Sequence, residues 1–198
     1  YRPDMAEHDA SALLAAMRAH RLEVVSIASG VCADKPDDVR RLLDIAARFR
    51  APMLRVSLPS FDSARPYADQ VASAPAVMEE AVALARPYRI RLVLELHFGN
   101  LIPSASLARQ FLSPFDPAEA GGIYDPGNMV VEGCEDWRIG TQVLGPYLAH
   151  VHAKNTCWSW TNLDWQEHPT DREHWQWQFT PLDRGIVQWP DVIAALRM

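Results

Sequence analysis

The chain has 198 residues, 48% of them hydrophobic, and a formal net charge of −6. That content can bury one core, and the mild acidity counts against a surface that gathers nucleic-acid phosphates. No apolar run is long enough for a transmembrane helix, and Tyr1-Arg2-Pro3-Asp4 lacks the basic and apolar regions of a secretory leader, so a cytoplasmic location away from membranes is expected.

Taken in chain order, short apolar or β-branched runs alternate with helix-like segments. Leu22 to Ala28 reads as a first strand, stopped by Gly30. Asp38-Val39 opens a helix whose apolar residues Val39, Leu42, Leu43, Ala46 and Phe49 follow the spacing of one buried face. Ala51-Pro52 ends it, because a residue before proline disfavours the helical region. Met53 to Leu58 is the second strand. A helix follows over roughly Ser73 to Ala85, capped by Ser73; a start near Tyr67 would instead place Pro75 inside it as a kink. Arg91 to His97 is the third strand and Gly121 to Asp125 the fourth, with Pro126-Gly127-Asn128 turning the chain away. Trp137 to Leu144 reads as a helix closed by Gly145-Pro146, Leu148 to Ala153 as the fifth strand, and Pro190 to Leu196 as a last helix.

Such alternation at steps of about thirty residues means parallel βα units. Either a doubly wound sheet or a (β/α)₈ barrel is the usual product. Glycine is scarce, with 9 residues and no GxGxxG or phosphate-loop pattern, which favours the barrel. A complete barrel takes ~250 residues, so an incomplete one, forming a single domain over 1–198, is expected. Cys32, Cys134 and Cys157 are odd in number and far apart, and read as reduced thiols.

Three strands finish in groups that a buried strand does not ordinarily carry: Glu95, Asp125, and the pair His150 and His152. Ligands of parallel α/β folds bind at the carboxyl ends of strands. Two carboxylates and an imidazole gathered there would suit Mg²⁺, Mn²⁺, Co²⁺ or Zn²⁺. Taken singly, each also reads as a capping, surface or hydrogen-bonded group.

At these residues the sequence resembles the sugar phosphate isomerase/epimerase group of the xylose isomerase-like TIM barrel superfamily. The resemblance rests on Glu95-Leu96-His97, on Asp125-Pro126-Gly127-Asn128, and on His150-Val151-His152-Ala153-Lys154-Asn155, where the family usually ends in Asp. It implies a divalent-metal-dependent sugar or sugar phosphate isomerase or epimerase working through an enediolate. Glu95, Asp125 and His152 would be metal ligands, Glu95 also the catalytic base, and His97, Asn128 and Lys154 substrate contacts. It further implies that barrel strands one, two and eight lie outside this chain, together with a fourth ligand, a Glu; Asp183 is too far into a loop to replace it.

Arg55 either points inward or is solvated or salt-bridged. Six of the seven tryptophans fall between Cys157 and Trp189. Trp158 and its neighbours suit the apolar face of a sugar ring, or else form a hydrophobic plug or subunit contact. Asn162, His168 and His174 interleave with them, the histidines as weak candidate ligands. Metal-dependent dehydratases resemble the same barrel, as does endonuclease IV, which the acidic balance disfavours; a non-catalytic sugar-binding barrel is a further alternative. A homo-oligomer is an expectation from the resemblance alone.

Overall fold

Residues 7–133, 135–160 and 175–197 are described by the computed structural model of the protein; Cys134, Asn162, Trp165, His168 and His174 lie outside them. The chain divides into two compact units, Tyr1–Glu95 with Phe111–Gly121 and Leu96–Gln110 with Gly122–Met198.

In the first unit, α1 (Glu7–Ala19) and α2 (Pro36–Arg48) precede β1 (Met53–Val56), then α3 (Tyr67–Ala85) and β2 (Arg91–Glu95). β1 and β2 pair in parallel, Met53 opposite Arg91 and Val56 opposite Leu94. Parallel neighbours need a crossover, and α3 supplies it. The expected face of α2 is the buried one, with Val39, Leu42, Leu43 and Ala46 all inside. α2 packs on β1 and α3 on β2, burying Leu54, Met78, Val82, Leu92 and Leu94.

Two expectations change here. The strand read at Leu22 to Ala28 is reduced to a single parallel bridge, Ile27 to Leu54, with a second bridge further on from Cys32 to Ser57. Leu22 and Val25 remain 61% and 58% exposed, so strand propensity has no burial behind it. Side chains also take over the ladder: Ser29 Oγ donates to the Arg55 carbonyl (2.7 Å) and Arg55 Nε to the Ser29 carbonyl (2.9 Å). Of the two starts considered for α3, the chain adopts Tyr67, with Pro75 inside. Buried Gln70 explains this choice. Its amide accepts from Asp62 N (2.8 Å) and donates to the carbonyls of Asp62 (2.9 Å) and Arg65 (3.0 Å), fastening the preceding loop to the first turn.

α4 (Ala105–Leu112) and β3 (Ala120–Tyr124) each divide between the two units. The second unit continues with α5 (Pro126–Glu132), α6 (Trp137–Leu144), β4 (Leu148–Val151), β5 (Asn155–Trp160), β6 (Trp175–Thr180) and α7 (Trp189–Leu196). β3 and β4 pair in parallel, Tyr124 opposite Val151. Asp136 caps α6, accepting from Arg138 N and Ile139 N. Val130, Val187 and Val192 form a small core with Trp137 and Trp189 against it. Helices α1, α4 and α5 and the antiparallel hairpin of β5 and β6 are additions to the elements the sequence predicts. Among the described residues, no helix is long and apolar enough to cross a membrane.

Candidate metal centre

Each residue of Asp125-Pro126-Gly127-Asn128 has a local task. Asp125 is the N-cap of α5, its Oδ1 accepting from Asn128 N at 3.0 Å. Pro126 occupies the first helical turn, where its missing N–H costs nothing. Gly127 leaves room for Lys154 and the start of β5: a Cβ there would lie 3.0 Å from Lys154 Cβ and Cγ and 3.1 Å from Thr156 Oγ1. Buried Asn128 donates from Nδ2 to the Leu96 carbonyl (3.0 Å) and accepts Lys154 Nζ on Oδ1 (3.1 Å). What the sequence shows as a turn is thus a capped helix start.

Asp125 has no solvent exposure. Its Oδ2 lies 2.5 Å from Lys154 Nζ and 3.7 Å from His152 Nδ1. The ammonium compensates the charge, yet no donor is aligned on this buried oxygen as a hydrogen bond. A buried carboxylate oxygen beside an imidazole nitrogen is a donor pair of the type that fits a divalent ion, whose O and N bonds run near 2.0–2.2 Å for zinc, and here the Lys154 ammonium holds that oxygen. His152 itself is tied to β3, its backbone N donating to the Tyr124 carbonyl (3.0 Å). His150 stands edge-on to His152, 5.6 Å between ring centroids, and burial, then its neighbour His152, holds its pKa below the ordinary histidine value.

In the first unit, Glu95 ends β2 and forms an ion pair with Arg55 Nη1, the side chains being 10% and 27% exposed. Arg55 is therefore salt-bridged, one of its sequence alternatives. His97, already in the second unit, lies past the end of β2, with Nδ1 2.7 Å from the Phe98 carbonyl.

Trp158 is on β5 opposite Trp177 and is 41% exposed. Trp177 stacks edge-on against Phe98 (4.9 Å) and Phe179 (5.2 Å), and Lys154 Nζ lies 5.1 Å from the Phe179 centroid. Phe179, which the sequence does not single out, thereby joins Trp177 to Lys154, and Phe98 packs on the far side of Trp177. The signal for Phe179 was available as Trp175-x-Trp177-x-Phe179. Asn155, the departure from the family's Asp, is 2% exposed. Its Nδ2 donates to the carbonyls of Leu182 (2.9 Å) and Val187 (3.1 Å), and its Oδ1 accepts from Thr156 N and Val187 N (both 2.9 Å). It fastens the turn ahead of α7. Asp183 lies exposed in that turn.

Parallel strands with crossover helices, ending in a capped aspartate and a histidine, describe an α/β barrel-type protein. The chain belongs to the xylose isomerase-like TIM barrel family, whose model matches residues 1–198. Among solved structures it is similar to the probable 3-DHS dehydratase AsbF of Bacillus anthracis, at 18% identity and TM-score 0.75, covering 96% of this chain and 72% of that one. It is also similar to a xylose isomerase-like TIM barrel protein of Mycobacterium smegmatis in complex with magnesium, at 18% and 0.72, covering 98% and 69%. A D-tagatose 3-epimerase-like protein matches at 16% and 0.73, covering 97% and 72%. No curated protein matches the chain in sequence. At these identities the likeness establishes the fold.

Proposed function

We propose that the chain is a divalent-metal-dependent sugar or sugar phosphate isomerase or epimerase, with Glu95, Asp125 and His152 as metal ligands and Glu95 as catalytic base. The observation that carries this reading is Asp125 Oδ2, fully buried, 3.7 Å from His152 Nδ1 and compensated by the Lys154 ammonium. Glu95 is the third group of a type that could hold such an ion, and each of the three stands at the end of a parallel strand, where barrel ligands bind.

Bound there, a divalent ion would polarise the carbonyl and neighbouring hydroxyl of a ketose or aldose. The chain's own residues divide the remaining work. Glu95 takes the carbon-bound proton, giving the enediolate. Lys154 donates to a substrate oxygen, and Asn128 acts through Lys154 by holding its ammonium. His97 contributes its ring to the substrate side, and Trp158 offers a flat face to the apolar side of the sugar.

Elemental analysis of the purified protein beside His152→Ala tests the site. Near-stoichiometric Mg, Mn, Co or Zn that the variant loses is expected; equal content in both would remove His152 from the ligand set. A ketose panel then tests the reaction. Epimerised product of unchanged mass is expected, whereas loss of water would make the protein a dehydratase, as the similarity to AsbF would have it. Glu95→Gln is expected to abolish turnover, and normal turnover would refute its role as base.

A further inference from the structure

We infer that Arg55 is a resident counter-ion that competes with the divalent cation for Glu95, and that cation loading releases its guanidinium. The inference rests on the metal-site reading above. β1 sets Arg55 opposite Val93 of β2, and Glu95 follows two residues on, on the same strand face. The Arg55 Nη1 atom pairs with Glu95 Oε2, while Nε stays fastened to the Ser29 carbonyl at 2.9 Å. Ser29 Oγ in turn holds the Arg55 carbonyl at 2.7 Å and accepts from Val31 N at 3.3 Å. The guanidinium therefore has one anchored edge and one edge committed to the carboxylate.

That arrangement has a reason and a consequence. A carboxylate only 10% exposed is costly to leave uncompensated, and the arginine supplies the compensation. A cation arriving at Glu95 must displace that partner or share the carboxylate against a like charge. Arg55 holds Glu95 in place before loading and lowers cation affinity while doing so. Once displaced, the anchored guanidinium presents free N–H donors, the group that best matches a carboxylate or phosphate. Substrate anion and cation would then reinforce one another, each favouring the state in which Arg55 has left Glu95.

Calorimetric titration of the full chain with Mn²⁺ tests the competition. Arg55→Gln is expected to bind roughly tenfold more tightly than the unaltered protein, because one positive charge a few ångströms from the ion is gone. Arg55→Lys, which keeps the charge, is expected to stay within about twofold. Unchanged or weaker binding by folded Arg55→Gln would overturn the inference. Should Arg55→Gln fail to fold, the unaltered protein decides alone, through phenylglyoxal labelling of Arg55 read by peptide mass. Labelling is expected to rise with saturating Mn²⁺, and labelling that stays level or falls would overturn release. An unaltered protein that binds no Mn²⁺ at all would refute the metal site itself, a different result from either.

Discussion

Asn155→Asp exchanges one nitrogen for oxygen and puts the turn ahead of α7 to a sharp test. In the native chain the amide donates to two carbonyls, Leu182 O at 2.9 Å and Val187 O at 3.1 Å, inside a site only 2% exposed. Aspartate keeps the two backbone donors on Oδ1 but sets an anionic oxygen against those carbonyls. Two lost hydrogen bonds cost about 1 kcal/mol each, and the buried repulsion adds about 1–2, for a total of about 3–4 kcal/mol at pH 7. Protonation restores one donor. The folded state thus favours the protonated acid, and its folded pKa lies above the unfolded value of about 3.9. A raised folded pKa contributes stability below the unfolded pKa, lost as pH rises through the folded one. The penalty should therefore shrink to about 1–2 kcal/mol near pH 3.5. Urea unfolding followed by circular dichroism at pH 7, 5 and 3.5, beside the unaltered protein, measures this. A variant within about 0.5 kcal/mol of the unaltered protein at pH 7 would show that the two hydrogen bonds donated by the amide do not hold the turn.

Three further outcomes are expected. Gly127→Ala forces a methyl to within 3.0 Å of Lys154 Cβ and Cγ and should cost about 1–3 kcal/mol in urea unfolding. Gly185→Ala puts a Cβ 2.3 Å from Asn155 Oδ1 at a backbone φ of +148°; it should destabilise the same turn, and its cost should be less than additive with Asn155→Asp. His150, its pKa lowered by burial and by His152, is more easily protonated in the unfolded chain. Its contribution is full above the unfolded value near 6.5 and declines as pH falls through the folded one, so His150→Gln should flatten the loss of thermal stability between pH 7 and 5.

How much of this was legible depended on whether the signal was local. Glu95, Asp125 and His152 stood out because each ends an apolar run with a group that costs energy to bury, and α2 was legible because one face of it repeats. The strand at Leu22 to Ala28 had β-branched residues but no burial, and only the structure reveals that Ser29 and Arg55 divert its ladder. The hairpin failed for the opposite reason. Its alternation was present: Trp158 and Trp177 stand opposite each other, between Cys157 and Ser159 on one strand and Gln176 and Gln178 on the other. Residues 161–174 separate the two halves, far beyond the short loops that make a hairpin recognisable. α5 was hidden because Pro-Gly-Asn reads as a turn unless the Asp before it is known to cap.

The cap on α5 bears on how the site would meet its ion. Asp125 spends one oxygen on Asn128 N and sets the other, buried, against the Lys154 ammonium. Its orientation is set by helix geometry before any ion arrives, so loading would order little additional chain at this residue. Little binding energy would then be spent on folding, and exchange of one divalent ion for another would leave the helix where it is. Which ion took such a site would be decided by the supply of metal and by the chemistry of its donors, more than by any shape the protein must be forced into.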